Sequence, residues 1–180
     1  MEESCRICLL GDGGVGKSSL CVYFRARMFV EETDPTIDDT FIVLKEYDGQ
    51  RTIIEVLDAA GSDYFEPFRP HWVTQSDAII IVYCITERDT FAKVSQILEQ
   101  VVEVKGIELN HIPVVIAGNK IDLEVGRQVS TSEGFKLSRK YQVPFFETTA
   151  KFGCNVDAIF REVVREFRTK SAENKFFNQK

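Results

Sequence analysis

The chain has 180 residues, of which 44% are hydrophobic and 28% are charged, as is typical of one globular domain with a substantial core. Its formal net charge is −6 and no window is densely basic, so we do not expect nucleic acid as a primary partner. The N-terminal residues lack the basic region of a signal peptide, and the longest apolar run, residues 78–85, is too short to span a bilayer. We therefore expect a cytoplasmic protein.

Strand-like and helix-like segments alternate along the chain. The second and third strands flank Asp48-Gly49, a hairpin turn signal, and Ser130 with Glu133 forms a capping-box motif before a helix. This pattern predicts an α/β fold with a six-stranded, mostly parallel sheet, one antiparallel strand and helices on both faces. The predicted strands are 5–10, 40–47, 52–57, 78–85, 113–117 and 144–146, and the predicted helices are 17–27, 91–105, 131–141 and one from 156 onwards.

The domain is expected to comprise residues 1–168. Residues 169–180 are polar, and we expect them to form a frayed C-terminal tail.

Five cysteines are present, an odd number, and no secretory signal accompanies them, which favours reduced thiols. Cys5 and Cys8 have the spacing of half a zinc site. No second cysteine pair exists, and both residues fall on a predicted strand. We therefore interpret them as small buried hydrophobic residues.

The most informative motif is G-D-G-G-V-G-K-S at residues 11–18, between a predicted strand and a predicted helix. It matches the phosphate-binding loop G-x-x-x-x-G-K-[ST] of P-loop nucleoside triphosphatases. Glycines let backbone N–H groups approach phosphate oxygens, and the helix that follows presents its positive end. In this motif Lys17 supplies a charge to the β- and γ-phosphates, and the Ser18 hydroxyl is a ligand for Mg²⁺.

Four further segments fall at predicted strand ends, where ligands bind in parallel α/β sheets. Each is weak alone, because such tetrapeptides are common turns. Their order and spacing, together with the phosphate loop, are not those of chance turns. They are D-P-T-I at 34–37, D-A-A-G at 58–61, N-K-I-D at 119–122 and T-A-K at 149–151.

On these five segments the chain resembles the small GTPases of the Ras superfamily over nearly its whole length. The sequence D-P-T-I-D-D at 34–39, followed by a short hairpin, is most similar to the Ras/Rap branch. The resemblance implies GTP and GDP as ligands and Mg²⁺ as cofactor. It implies that the nucleotide is bound by Gly13, Gly14, Val15, Gly16, Lys17, Ser18, Ser19, Phe29, Val30, Asp34, Pro35, Thr36, Gly61, Asn119, Lys120, Asp122, Leu123, Thr149, Ala150 and Lys151.

The resemblance also implies specific roles within this set. Mg²⁺ would be held by Ser18, Thr36 and, through a water, Asp58. Catalysis is assigned to Lys17, Thr36, Gly61 and Ser62. Backbone amides of Thr36 and Gly61 would contact the γ-phosphate, so that its loss releases two switch loops, the first at residues 34–39 and the second from Gly61 to about Trp72.

Base selection has a physical reason. A carboxylate at Asp122 accepts hydrogen bonds from N1–H and the 2-amino group of guanine, neither of which adenine offers. The resemblance places Asn119 at N7 and the amide of Ala150 at O6. It places the stems of Lys120 and Lys151 beside the ring. Phe29 would meet the base edge-on, although a plain core aromatic is an alternative for that residue.

The resemblance implies three kinds of protein partner. Effectors with Ras-binding-type domains would use the first switch and the strand that follows it, by strand addition. Guanine-nucleotide exchange factors and GTPase-activating proteins would act on the second switch, although its four aromatics are also ordinary packing candidates. The effector residues are Asp34, Pro35, Thr36, Ile37, Asp38, Asp39, Thr40 and Phe41, and the aromatics are Tyr64, Phe65, Phe68 and Trp72.

Ser62 departs from the family pattern, which has at this position a glutamine that orients the attacking water. A serine hydroxyl is too short to span the same gap, so we expect intrinsic hydrolysis about 10–100-fold slower than in a glutamine-bearing relative. The Rap and Di-Ras branches also lack the glutamine, so regulation can persist. The alternative is a GTP-binding signalling module with negligible hydrolysis, controlled by exchange or by a partner. An ATP-using P-loop kinase is a third interpretation, which the N-K-I-D segment disfavours.

The chain shows no C-terminal prenylation motif, unlike most Ras-like proteins. Membrane attachment at the cytoplasmic face of the plasma membrane is therefore expected only if a lipidation signal is missing from this sequence.

Overall fold

The structure is a computed structural model that describes residues 3–30, 39–61 and 67–177, with side chains up to Glu173. Its centre is a six-stranded sheet in the order β2-β3-β1-β4-β5-β6, in which β2 is antiparallel to β3 and every other pair is parallel. The predicted fold class is therefore confirmed. The strands are β1 (Glu3–Leu10), β2 (Asp39–Tyr47), β3 (Gln50–Asp58), β4 (Ala78–Cys84), β5 (Val114–Asn119) and β6 (Phe145–Glu147).

Five α-helices surround the sheet in the described part of the chain. Short 3₁₀ helices, Leu109–His111 and Ile121–Gly126, precede and follow β5. The α-helices are α1 (Lys17–Ala26), α2 (Arg69–Gln75), α3 (Arg88–Lys105), α4 (Thr131–Tyr141) and α5 (Val156–Phe177).

Strand β4 shows how the sequence builds two cores. All seven of its residues are buried, because successive side chains enter opposite layers. Ile80 and Val82 pack with α1 and α5, where the rings of Phe24 and Phe160 stack with centroids 3.7 Å apart. Ile81 packs with α2 and α3 on the other face. The continuous apolar run is thus explained by helices on both faces.

The same alternation decides the role of the first two cysteines. Cys5 lies in the α1–α5 core and Cys8 in the α2–α3 core, so their side chains point to opposite faces of β1. Both are fully buried. The interpretation as small hydrophobic residues is confirmed for this pair. Among the described residues, no group of three or more His, Cys, Asp or Glu is placed to hold a metal ion.

Helix α4 begins at the predicted capping box. The Ser130 hydroxyl accepts a hydrogen bond from the backbone N–H of Glu133 at 3.3 Å, and a Glu133 carboxylate oxygen accepts one from the backbone N–H of Ser130 at 2.9 Å. Arg88 of α3 donates to the same carboxylate at 2.8 Å, and this bond together with the cap lowers the pKa of Glu133 to about 2.

Helix α5 is longer than expected. It continues to Phe177, so residues 169–177 are helical where the sequence suggested fraying. One reason is Lys170, whose Nζ donates to the carbonyl of Ile112 at 2.8 Å and pairs with Glu166 at 2.6 Å. The polar composition of residues 169–177 therefore did not indicate that Lys170 binds the body of the domain. In the described part of the chain, no helix combines the length and apolar character needed to cross a membrane.

Candidate functional site

The phosphate loop lies between the end of β1 and the start of α1, as the motif requires. Gly16 precedes α1 with φ of 94°, in the left-handed region that favours glycine. A Cβ at this position would also lie 2.4 Å from Nδ2 of Asn119, the last residue of β5. Glycine is thus needed at Gly16 both for its backbone conformation and for its close approach to Asn119 of the N-K-I-D segment.

Lys17 is buried at the start of α1, 6% exposed. Its Nζ donates to the carbonyls of Gly11 at 3.1 Å and Asp12 at 2.8 Å, which hold the ammonium over the loop. Desolvation lowers the Lys17 pKa, and the negative charges of Asp58 and Asp12 oppose this shift. The loop therefore presents a fixed cation at the place where the motif binds phosphate.

Gly61 is packed directly against this loop. A Cβ on Gly61 would lie 2.2 Å from Nζ of Lys17 and 2.5 Å from the carbonyl oxygen of Asp12. No other residue type fits without displacing the lysine. The structure thus brings together the phosphate loop and the D-A-A-G segment, which lie some fifty residues apart in the chain.

Asp58 and Ser18 provide oxygen atoms suited to Mg²⁺. Asp58 ends β3 and is 4% exposed, and Ser18 lies in the first turn of α1, next to Lys17. The negative charge of Asp58 acts on Lys17, which places the Asp58 carboxylate near the phosphate loop. Carboxylate and hydroxyl oxygens are the ligand types of this hard cation, so the two residues fit the expected cofactor. Thr36, the third expected ligand, lies outside the described residues.

Asn119 joins the N-K-I-D segment to the phosphate loop. Its Nδ2 donates to the carbonyl of Val15 at 2.9 Å, and its Oδ1 accepts from the Thr148 hydroxyl at 3.1 Å. The side chain is 1% exposed, so these bonds fix its orientation. Thr148 was not singled out from the sequence, because its role appears only when β6 lies beside β5.

Asp122 and Thr149 join the two segments expected to surround the base. The Thr149 hydroxyl donates to Oδ1 of Asp122 at 2.5 Å and accepts from the N–H of Lys151 at 3.1 Å. Lys120 adopts a left-handed conformation with φ of 69°, which turns the chain from β5 into the 3₁₀ helix. Ala150 is buried within this pair of turns. The N-K-I-D and T-A-K segments thus form one hydrogen-bonded unit.

Three apolar residues that are expected to contact the nucleotide are exposed. Phe29 is 38% exposed, so the alternative of a plain core aromatic is wrong. Val30 and Leu123, also expected to contact the nucleotide, are 42% and 46% exposed. Apolar side chains left exposed at these positions are compatible with a planar base as their partner.

Several expected site residues lie outside the described residues, and their roles remain predictions. Those in the first switch are Asp34, Pro35, Thr36, Ile37 and Asp38, and those in the second switch are Ser62, Tyr64 and Phe65. Of the remaining second-switch aromatics, Trp72 is buried in the core and Phe68 is 53% exposed. Trp72 therefore has the ordinary packing role that was its alternative.

Strand β2 forms an edge of the sheet, next only to β3 in the described sheet. Asp39 and Thr40 are exposed at its start, but Phe41 is buried at 8% exposure among α1 and α5 side chains. The exposed apolar residues of the strand are Ile42 and Leu44, at 67% and 55%. The sequence alternation contains this signal, since Phe41 and Ile42 must face opposite sides.

Comparison with known proteins agrees with the motifs. A family model described as Ras family matches residues 6–169. The Ras-like protein rasB of Dictyostelium discoideum is 38% identical over 163 residues, which cover 91% of this chain and 82% of that protein. Ras-like protein 2 of Mucor circinelloides f. lusitanicus is 38% identical over 168 residues, which cover 93% and 84% respectively.

Proposed function

Because the chain belongs to the Ras family of small GTPases, we propose that it is a molecular switch that binds GTP or GDP with Mg²⁺, hydrolyses GTP slowly and signals to effectors in the GTP state. The observation that carries this proposal is the contact of Gly61 with Lys17 and Asp12. This contact supports the proposal because it brings the start of the second switch beside the lysine that the motif assigns to the β- and γ-phosphates.

The described residues have distinct roles in this proposal. Lys17, held by two backbone carbonyls, keeps a further N–H for the β- and γ-phosphates. Ser18 and Asp58 would hold Mg²⁺, which neutralises phosphate charge when bound. Asp122, oriented by Thr149, accepts hydrogen bonds from guanine. Thr36 and the amide of Gly61 would report the presence of the γ-phosphate.

Hydrolysis is proposed to be slow because Ser62 stands where the family has a water-orienting glutamine. Phosphoryl transfer of this kind depends on positioning and electrostatic stabilisation, so a missing orienting group reduces the rate of the chemical step. Ser62 also supports the second candidate function, a GTP-binding signalling module with negligible intrinsic hydrolysis. Strong stimulation of hydrolysis by a GTPase-activating protein would favour the first candidate, the switch that hydrolyses GTP.

The substitution Ser62→Gln tests the proposed rate limitation. We expect single-turnover GTP hydrolysis to become about 10-fold faster or more, because a longer amide can orient the attacking water. Ser62→Ala is the matched control and should remain within about threefold of the natural protein. An unchanged rate in the glutamine variant would show that Ser62 is not the limiting feature.

Effector binding is proposed for the exposed edge at β2. Asp39 and Thr40 begin the strand, and the outward side chains of Ile42 and Leu44 offer apolar contacts. An edge strand with free backbone groups suits a partner of the Ras-binding type that adds a strand. Exchange factors and GTPase-activating proteins would use the second switch. We propose a cytoplasmic location, which suits this set of partners.

A further inference from the structure

The side chain of Asp12 links the phosphate loop to helix α3. Its Oδ2 lies 2.7 Å from Nζ of Lys93, in the second turn of α3, and its Oδ1 accepts a hydrogen bond from the N–H of Gly13 at 3.0 Å. The Asp12 and Lys93 side chains are 21% and 44% exposed, so the ion pair is partly shielded from solvent. Asp12 occupies an unspecified position of the phosphate-loop motif, which is why the pattern assigns it no role.

The main chain of Asp12 is a point at which two parts of the site meet. Its carbonyl accepts the hydrogen bond from Lys17 at 2.8 Å, and the same oxygen limits the space at Gly61 to glycine. A shift of the Asp12 peptide would therefore move both the phosphate-binding ammonium and its contact with Gly61. Helix α3 is a firm support for this peptide, because Val94 and Leu98 anchor its inner face in the core.

We propose that the ion pair between Asp12 and Lys93 positions the phosphate loop for the γ-phosphate, which makes Lys93 a positioning residue for GTP. The inference rests on the proposed function and deepens it. Loss of the ion pair weakens GTP more than GDP, since only the triphosphate carries the group that meets both Lys17 and Gly61. Neither residue touches the nucleotide through its side chain in this proposal.

A double-mutant cycle with Asp12→Asn and Lys93→Met isolates the ion pair from any other contact of either residue. Asp12→Asn keeps an oxygen for the N–H of Gly13, and Lys93→Met keeps an apolar stem on α3. The measurement is the release rate of fluorescent GDP and of a fluorescent, non-hydrolysable GTP analogue, both with Mg²⁺. Lys93→Arg tests rescue by a second cation, and Lys136→Met, at an exposed lysine of α4, is the matched control.

We expect each single variant to release the GTP analogue about two- to fivefold faster, as for a partly exposed ion pair. Release of GDP should change by less than about twofold, and the double variant should be no faster than the single ones. Lys93→Arg should retain the natural rates, and Lys136→Met should leave them unchanged. A general loss of stability would instead accelerate the release of both nucleotides alike.

The sign of the Asp12→Asn effect separates positioning from a simple field effect. If the two residues acted only as charges near the phosphates, Asp12→Asn would slow release of the analogue while Lys93→Met accelerated it. That result, additive effects in the cycle or equal acceleration of both nucleotides would overturn the inference. A natural protein that binds neither nucleotide would contradict the proposed function itself, so the two failures are distinguishable.

Discussion

Asn119 and Asp122 act on the site through their hydrogen bonds to other segments as well as through the base they are proposed to contact. The amide of Asn119 spans from Val15 to Thr148, so one side chain fixes the phosphate loop relative to β6. One carboxylate oxygen of Asp122 accepts a hydrogen bond from the Thr149 hydroxyl, and the other oxygen is proposed to accept from the base. Asn119 therefore positions the phosphate loop, and the same N-K-I-D segment carries the proposed base selection through Asp122.

Asp122→Asn is predicted to change the preferred base. The amide oxygen can still accept from the Thr149 hydroxyl, which turns the NH₂ group toward the base, where guanine offers only donors. We expect GDP affinity to fall by about 1–3 kcal/mol or more, and xanthosine diphosphate, with a carbonyl at C2, to bind better than GDP. Competition of both nucleotides against a labelled one measures the effect.

The matched control for this change is Asp157→Asn. Asp157 lies at the start of α5, and its exposed carboxylate pairs with Arg27. It should leave the base preference unchanged. Equal GDP affinity in the Asp122→Asn variant and the natural protein would mean that Asp122 does not contact the base.

Arg168 of helix α5 binds the edge of the sheet. Arg168 donates to Glu3 of β1 at 2.8 Å, to the Thr52 hydroxyl of β3 at 2.6 Å and to the carbonyls of Tyr47 and Gln50 at 3.0 and 3.3 Å. Its side chain is only 16% exposed. These bonds connect α5 to the β2–β3 hairpin, whose first strand carries the proposed effector edge.

Removal of this arginine is predicted to destabilise the fold. Arg168→Ala should lower the free energy of unfolding by about 2–3 kcal/mol, because it removes the cation that pairs with Glu3 and a donor to the carbonyls of Tyr47 and Gln50, although Glu3 keeps its hydrogen bond from the Thr52 hydroxyl. Urea unfolding at one saturating GDP concentration measures the loss. Arg165→Ala, which removes an ion pair with Asp48 in which both side chains are 47% exposed, is the matched control and should cost much less. Equal losses would contradict the role given to Arg168.

For the whole molecule, local sequence signals predicted the sheet, four of the five described α-helices and the order of the site segments; helix α2 (Arg69–Gln75) was not predicted. Periodicity was sufficient for β4 because burial on both faces requires a continuous apolar run. Segments at strand ends were predicted to meet because parallel strands deliver them to one edge. The comparisons then confirmed the family that the motifs indicated.

What the sequence could not predict depends on contacts between distant residues. The helical conformation of residues 169–177 depends in part on Lys170 reaching Ile112, and no local pattern encodes that bond. The ion pair of Asp12 with Lys93 joins a loop to a helix some eighty residues later. The burial of Phe41 follows from strand alternation, but the resemblance assigned this residue to a surface.

The most direct test of the account is the identity of the nucleotide carried by freshly purified protein, released by denaturation and separated by chromatography. A guanine-nucleotide switch should carry close to one guanine nucleotide per chain. GDP would indicate that hydrolysis proceeds despite Ser62, whereas GTP would favour the module with negligible hydrolysis. An empty protein, or one that carries adenine nucleotide, would contradict the central claim that this chain is a guanine-nucleotide switch.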